Sequence, residues 1–485
     1  MNAVITLIEK GTERRIEAPV GSKLSQVLAR AEVALDLPCG GHGTCGNCRV
    51  SVNGEACLAC QTIVESDLQL EKLPQEGMSI VGGQLPVPSA RAPMFARYGL
   101  AVDIGTTTLC AALLDKNGQL GHTARKNPQT SFGADVISRI EKSMSGYAGQ
   151  LAGCLAAVIS EIADELAAGA GIPIAEIDAA VLTGNTTMLH LLTRQDCTPL
   201  SRAPFAAERL FGEYTEGSEL EIPSLRGAKV YLPRCPCAFV GGDITTAILA
   251  SGLCESRGSA MLVDIGTNGE IALWHEGELT CSSTAAGPAF EGAGLSCGTY
   301  ATTGAIDRVW LESGKPCCST IGGGCAVGIC GSGIIDALTV MLELGVIDET
   351  GAMADTDNFE LRDGICITDK DVRKIQLAKG AVRAGMETML ESLSLAKDKL
   401  EVLYIAGGFG SRMDLKNAAA IGLIPEELRG LTKVIGNAAL AGAALILGDK
   451  ALAAQSEQLI GRAKILPLDS SPAFTENFME YMAFE

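Results

Sequence analysis

Hydrophobic positions follow two different rhythms along this chain. Up to about residue 84, apolar and polar residues alternate with period two in AVITLIEKG and RRIEAPV, the spacing of half-buried strands. SKLSQVLARAEV reads as a short amphipathic helix, and CRVSVNG, behind a Gly- and Cys-rich loop, as a further strand. GGQLPVPSARAPMF then has no period and is rich in Pro, Gly and Ser, as a linker between domains is. Beyond it, apolar strands alternate with helical stretches such as GADVISRIEKSM and GQLAGCLAAVISEIADELAAG.

One internal repeat organises this second part. LAVDIGTTTLCAALL (100–114) and MLVDIGTNGEIALW (261–274) share the order strand, Asp-Ile-Gly-Thr, turn, strand. The repeat predicts a duplicated domain whose halves face each other. A third strand-to-glycine turn, VLYIAGGFG (402–410), follows. The expected division is 1–84 for a first domain, 85–97 for the linker, 98–257 for lobe I and 258–485 for lobe II, with the C-terminal helices free to pack back on lobe I.

Composition narrows the functional classes. At 485 residues, 47% hydrophobic and with 57 glycines, the chain is a compact α/β protein with many tight turns. A net charge of −19 argues against nucleic acid, which needs clustered Lys and Arg. MNAVITLIEKGTERR lacks the apolar core of a signal peptide, and Gly436–Gly448, the most apolar stretch, is too short to span a bilayer. The expectation is a cytoplasmic protein with no membrane partner. Its 18 cysteines are then thiols or metal ligands rather than structural disulfides.

Cys39, Cys45, Cys48 and Cys60 give C-x5-C-x2-C-x11-C within PCGGHGTCGNCRV and the following LACQT. An iron–sulfur cluster needs four thiolates converging on a small core, and the interspersed glycines let the chain wrap it. Zinc is the alternative, but zinc ligands usually come as two separated short-gap pairs, whereas three cysteines crowd one loop here. Cys57 competes for the fourth position; Cys60 is preferred because LACQT resembles the final ligand turn of ferredoxin domains. His42 is read as a solvent-exposed loop residue.

The repeats have the chemistry of a phosphate cradle. In the first, a strand ends at Asp103 and Gly105 opens a turn followed by Thr106, Thr107 and Thr108. Backbone N–H groups and hydroxyls there can donate to phosphate oxygens, and the aspartate can hold a hydrated Mg²⁺ through water. The second repeat offers Asp264, Gly266, Thr267, Asn268 and Gly269 from the opposite side, so two cradles would clamp one triphosphate. Gly407, Gly408 and Phe409 supply a flat turn for an adenosine. No G-x-x-x-x-G-K-[ST] occurs, which removes the P-loop alternative. Two small-residue helices, FVGGDITTAILASG (239–252) and VIGNAALAGAALILG (434–448), should pack closely and can serve as a hinge. Asp243, on the first, is the candidate for positioning the attacking water, and a helix N-cap is its other reading.

CGGHGTCGNC…LACQT, LAVDIGTTT, NPQTSFGADVISRI, LTGNTTMLHLL, FVGGDITTAIL, LVDIGTNGEI, AAGPAFEGA, ICGSGIIDAL and YIAGGFG together resemble the reductive activators of corrinoid proteins. That resemblance implies an α+β ferredoxin-like (β-grasp) domain carrying a 2Fe–2S cluster. An α/β two-lobed actin-like ATPase domain, a ribonuclease H-like duplication, would follow it. It implies that ATP use drives one electron from the cluster to an inactive Co(II) corrinoid on a partner methyl-transfer protein, yielding Co(I). A reduced ferredoxin or flavoprotein would be the donor, and a homodimer is allowed. Asp103, Thr106, Thr107, Asp264, Thr267 and Asn268 would bind Mg-ATP phosphates, Gly407, Gly408 and Phe409 the nucleoside, and Glu291 the ribose, unless Glu291 caps a helix instead. Asp103, Asp243 and Asp264 are the catalytic candidates. Longer members of the family carry an additional segment between the domains, where this chain has only a short linker. Two other functions stand beside this one: activation of a 2-hydroxyacyl-CoA dehydratase through a 4Fe–4S cluster, for which Cys325 and Cys330 would be ligands, and a small-molecule kinase with a redox-sensing domain.

Overall fold

Period-two burial builds the first sheet. In the computed structural model, which describes residues 2–9, 12–31, 33, 48–72, 91–354, 357–408 and 412–484, Ala3, Ile5 and Leu7 of β1 (Asn2–Glu9) point into a core and their neighbours do not. β2 (Thr12–Pro19), β3 (Arg49–Val52), β4 (Glu55–Leu58) and β5 (Leu68–Lys72) complete a sheet of order β2-β1-β5-β3-β4. β1 and β5 run parallel at its centre and the other pairs antiparallel. Helix α1 (Leu24–Arg30) buries Leu24, Val27 and Leu28 against Ile5, Leu70 and Val50, closing a β-grasp domain.

The described end of the expected linker is seated on the second part of the chain. Residues 85–90 lie outside the described residues, but Met94 N–H donates to Leu447 O at 2.8 Å and Phe95 is buried. The Asp178 carboxylate receives the Ala96 and Arg97 amides at 2.9 and 3.0 Å. Composition registers the lack of period, but one buried aromatic is enough to seat such a segment.

The repeat appears as two sheets of the same design. β6 (Tyr98–Ile104), β7 (Thr108–Asp115) and β8 (Gly118–Lys126) form an antiparallel meander. Helices α2 (Val136–Lys142) and α3 (Ala148–Ala170) lead to β9 (Ile177–Gly184), which runs parallel to β6. After α4 (Thr186–Leu192), β10 (Glu213–Glu216) and β11 (Lys229–Leu232) extend the sheet to the order β10-β11-β9-β6-β7-β8. Helix α5 (Gly242–Ser251) then leads to the second meander of β12 (Ser259–Ile265), β13 (Gly269–His275) and β14 (Glu278–Thr284).

An insertion follows, holding β15 (Ala305–Glu312), β16 (Lys315–Thr320), β17 (Gly328–Ile329), α6 (Gly331–Glu343), β18 (Asn358–Arg362) and β19 (Ile365–Thr368). Helix α7 (Asp369–Ser392), started by a Thr368–Asp371 capping box, brings the chain to β20 (Leu400–Ala406), parallel to β12. α8 (Leu415–Ala420) and β21 (Thr432–Gly436) come next, then α9 (Ala438–Gly448), α10 (Ala451–Ile460), β22 (Lys464–Ile465) and α11 (Pro472–Glu480). The second sheet reads β21-β20-β12-β13-β14-β22.

The two sheets exchange their covering helices. α5 follows a strand of the first sheet yet packs Ile244, Ala247 and Ile248 on Ala260, Leu262 and Ala272 of the second. α9 follows a strand of the second sheet yet packs Leu440, Ala443 and Leu447 on Ala101, Ala112 and Val181 of the first. The expected small-residue contact between these helices is present. A Cβ on Gly442 would stand 1.9 Å from Thr246 O, so only glycine lets the backbones approach this closely. Among the described residues no helix is long and apolar enough to cross a membrane.

Candidate active site

Register places the aspartates. Asp103 ends β6 opposite Cys110 and beside Thr183; Asp264 ends β12 opposite Glu270 and beside Ala406. Behind each aspartate a glycine closes a tight turn: Gly105 N–H donates to Thr108 O at 3.1 Å, and Gly266 N–H to Asn268 O at 3.1 Å. A Cβ on Gly105 would lie 2.6 Å from Thr108 O, so the first turn excludes side chains.

The first loop is held from beneath by three side chains. Asn127 Nδ2 donates to Gly105 O at 2.8 Å, Asn185 Nδ2 to Thr106 Oγ1 at 3.0 Å, and fully buried Arg139 to Thr106 O at 2.5 Å. Burial drives the Arg139 guanidinium down to about 10 despite nearby anionic groups, Glu291 among them. Gly269 packs on Thr284 and Val382, while Gly408 faces open space. Gly407, at φ +116°, lies against the second loop, where a Cβ would meet Ile265 O at 2.4 Å. Phe409 lies outside the described residues, as do Cys39, Cys45 and His42.

Asp243 does not cap its helix. Gly241 is the N-cap of α5, and Asp243 Oδ1 accepts from the following Ile244 amide at 2.9 Å. Its carboxylate faces Asp103, Asp264 and Glu270, whose charges act on one another. Burial pushes Asp264 up to about 8, reinforced by Asp243, Asp103 and Glu291. It pushes Asp103 up to about 6, against an opposing hydrogen bond from Asn437 Nδ2 at 2.9 Å. Asp243 and Glu270 rise for the same reason of burial beside like charges. Glu291, which the sequence associates with ribose or a cap, instead accepts from the Thr107 and Thr267 hydroxyls, one on each loop.

A buried group of carboxylates that repel one another is matched to positive charge. Among the described residues no three His, Cys, Asp or Glu side chains are grouped to grip an ion directly. The hard oxygens of these carboxylates are of the kind that suits a hydrated Mg²⁺. Glu270, Asn437, Arg139, Asn185 and Asn127 are absent from the residues expected on sequence. Only Glu270 had a local signal, since alternation after DIGTN puts it on the face of Asp264.

In the first domain Cys48 and Cys60 are both buried, and the Ala59 amide donates to Cys48 O at 2.9 Å, bringing their backbones together. Cys57 lies within β4 opposite Val50, half-buried, with its sulfur accepting from the Thr62 hydroxyl at 3.3 Å. Two buried thiols whose backbones are hydrogen-bonded together fit a thiolate-bound cluster. Of the cysteines raised for a subunit-bridging cluster, Cys330 is buried at the start of α6 and Cys325 is exposed.

Comparison with known proteins agrees with both halves. Residues 7–71 match the 2Fe-2S iron-sulfur cluster binding domain, 98–256 the RACo middle region, and 258–485 the C-terminal domain of RACo, the ASKHA domain. The chain is 34% identical over 415 residues to the corrinoid activation enzyme RamQ of Eubacterium limosum, covering 79% of this chain and 69% of that protein. It is 26% identical over 377 residues to the [Co(II) methylated amine-specific corrinoid protein] reductase of Methanosarcina barkeri, covering 71% and 68%. A solved structure of a reductive activator for corrinoid, iron-sulfur protein superposes with a TM-score of 0.75 at 28% identity, over 99% of this chain and 98% of that one.

Proposed function

We propose, for a chain that belongs to the RACo family of corrinoid activators, that it spends ATP to deliver one electron to a Co(II) corrinoid on a partner protein, leaving Co(I). The observation that carries this reading is the facing of two phosphate loops across one buried carboxylate group, in a chain that also has a 2Fe–2S domain.

In this reading Cys39, Cys45, Cys48 and Cys60 hold the cluster, which when bound supplies the one-electron carrier. The amides after Gly105 and Gly266, with the hydroxyls of Thr106, Thr107, Thr108 and Thr267 and the Asn268 amide, take the phosphate oxygens. Gly269 allows close packing of the second loop, and Gly407, Gly408 and Phe409 line the nucleoside. Asp103, Asp243 and Asp264 would hold Mg²⁺ through its waters, and that ion would supply neutralisation of charge on the transferring phosphate. Asp243 also orients the attacking water, for which its free lone pairs and place at the start of α5 suit it. Arg139, Asn127 and Asn185 keep the first loop in shape, so that little reorganisation is left for the reaction.

Magnitudes favour coupling of this kind. For a one-electron couple each ~59 mV corresponds to about 1.4 kcal/mol. A conformational bias of ~5.5 kcal/mol, enough to reverse a 1:99 population, would offset a potential gap of roughly 230 mV. The exchanged helices α5 and α9 are the element through which nucleotide closure would be felt across both sheets. A reduced ferredoxin or flavoprotein is the donor class that recharging such a cluster requires.

The test is an anaerobic pull-down from native extract, with the captured corrinoid protein followed in the visible spectrum. ATP-dependent conversion of Co(II) to Co(I) is expected. Conversion indifferent to Mg-ATP, or purified protein without iron and sulfide, overturns the reading.

A further inference from the structure

We propose that Glu270 accepts from a water in the shell of the divalent cation that accompanies the triphosphate, so that the second repeat contributes more to this shell than the first. The proposal rests on the nucleotide reading above and adds to it a residue and a side.

In each repeat the aspartate pairs across its hairpin with one residue of the following strand, and these two partners differ in chemistry. Opposite Asp103 the first repeat has Cys110; opposite Asp264 the second has Glu270. The soft sulfur of Cys110 is a poor partner for an ion that selects hard oxygens. Only the second repeat offers two carboxylates side by side on one face of the sheet, and Asp243 approaches them from α5.

Acidic residues close together do not make a site by themselves. The independent observation is Glu270 Oε1, which is buried in a residue only 7% exposed and has no hydrogen-bond partner. The Gly241 backbone at the start of α5 acts on the same carboxylate. A purely structural carboxylate would have both oxygens satisfied, because an unpaired buried acceptor costs about 1–3 kcal/mol. An oxygen left free beside Asp264 and Asp243 is an acceptor kept for something the chain does not itself contain. Because Mg²⁺ keeps much of its hydration shell, the partner assigned to this oxygen is a water of that shell.

The test uses Mn²⁺ as the probe, titrated into anaerobically purified full-length protein with a non-hydrolysable ATP analogue, with free Mn²⁺ read by its EPR signal. Glu270→Gln is expected to weaken Mn²⁺ binding in the nucleotide complex by about 10- to 100-fold. It should leave binding of the metal-free analogue unchanged or tighter, because one negative charge is gone. Cys110→Ser, at the equivalent position of the first repeat, should bind Mn²⁺ as the wild type does. Wild-type Mn²⁺ affinity in Glu270→Gln overturns the assignment, and so does equal weakening of metal-free and metal-bound nucleotide, the mark of a structural role. If Glu270→Gln does not fold, Glu270→Asp is read in the same assay by the same criteria. A wild-type protein that binds neither analogue nor Mn²⁺ would instead overturn the nucleotide reading itself.

Discussion

Glu291, in the loop after β14, accepts a 2.7 Å hydrogen bond from the hydroxyl of Thr107 on the opposite repeat. Its second oxygen accepts from Thr267 at 3.1 Å, so one carboxylate ties the two phosphate loops together. These are two of the hydroxyls assigned to phosphate oxygens on sequence. Gly287 and Gly292, at φ +79° and +76°, bracket the short turn that carries Glu291. The carboxylate stands in this structure as an internal anion shared by both cradles.

Glu291→Gln should therefore bind a non-hydrolysable ATP analogue more tightly than wild type, by about tenfold, the scale of one hydrogen bond to a charged group. Isothermal titration at fixed Mg²⁺ measures it. A comparable loss of affinity would instead show Glu291 contacting the nucleotide, as the ribose reading has it.

The raised carboxylates set the pH dependence of stability. Asp264 has an ordinary value of 3.8 but about 8 in the fold, and Asp103 about 6. Between about pH 4 and 8 the folded chain holds protons that the unfolded chain has lost, so stability falls as pH rises through this window. The melting temperature of nucleotide- and Mg²⁺-free protein should drop from about pH 6 to about pH 8. Asp264→Asn should flatten the drop, and Mg²⁺ with the ATP analogue should recover it.

Helix exchange depends on one glycine. Gly442→Ala puts a methyl 1.9 Å from Thr246 O, a contact that backbone must move to relieve. The expected cost is about 1–3 kcal/mol or more in denaturant unfolding, with ATP turnover falling alongside it. Gly153→Ala, in α3 where an added Cβ meets nothing within 4 Å, should instead be neutral or stabilising by about 0.4–1 kcal/mol.

The fourth cluster ligand can be separated from its neighbour. Cys60→Ser should strip the visible cluster absorption, because Cys60 is buried beside Cys48. Cys57→Ser should retain it and lose only the contact with the Thr62 hydroxyl. Iron and sulfide content of anaerobically purified variants decides between them, and cluster loss in Cys57→Ser alone would reverse the assignment.

Much of this architecture was readable because its information is local. Alternation in AVITLIEKG specifies which face of β1 is buried, and the repeated DIGT specifies a strand, a turn and an aspartate at its end twice over. The small-residue helices announced a close contact, since Ala and Gly at successive turns have little other use in a helix. At residues 91–97 a segment without period is seated by buried Phe95, a contact that periodicity does not register.

Other features have no local trace. Asn437 reaches Asp103 across 334 residues of chain, and Arg139 supports Thr106 only because α2 folds beneath the loop. Spacing could not say that α5 and α9 trade sheets, nor that Glu291 would accept from two threonines on opposite loops. A chain encodes its faces and turns through neighbours a few residues apart. Which distant side chains share a low-dielectric interior is settled by packing, and in that interior the charges acquire their chemistry.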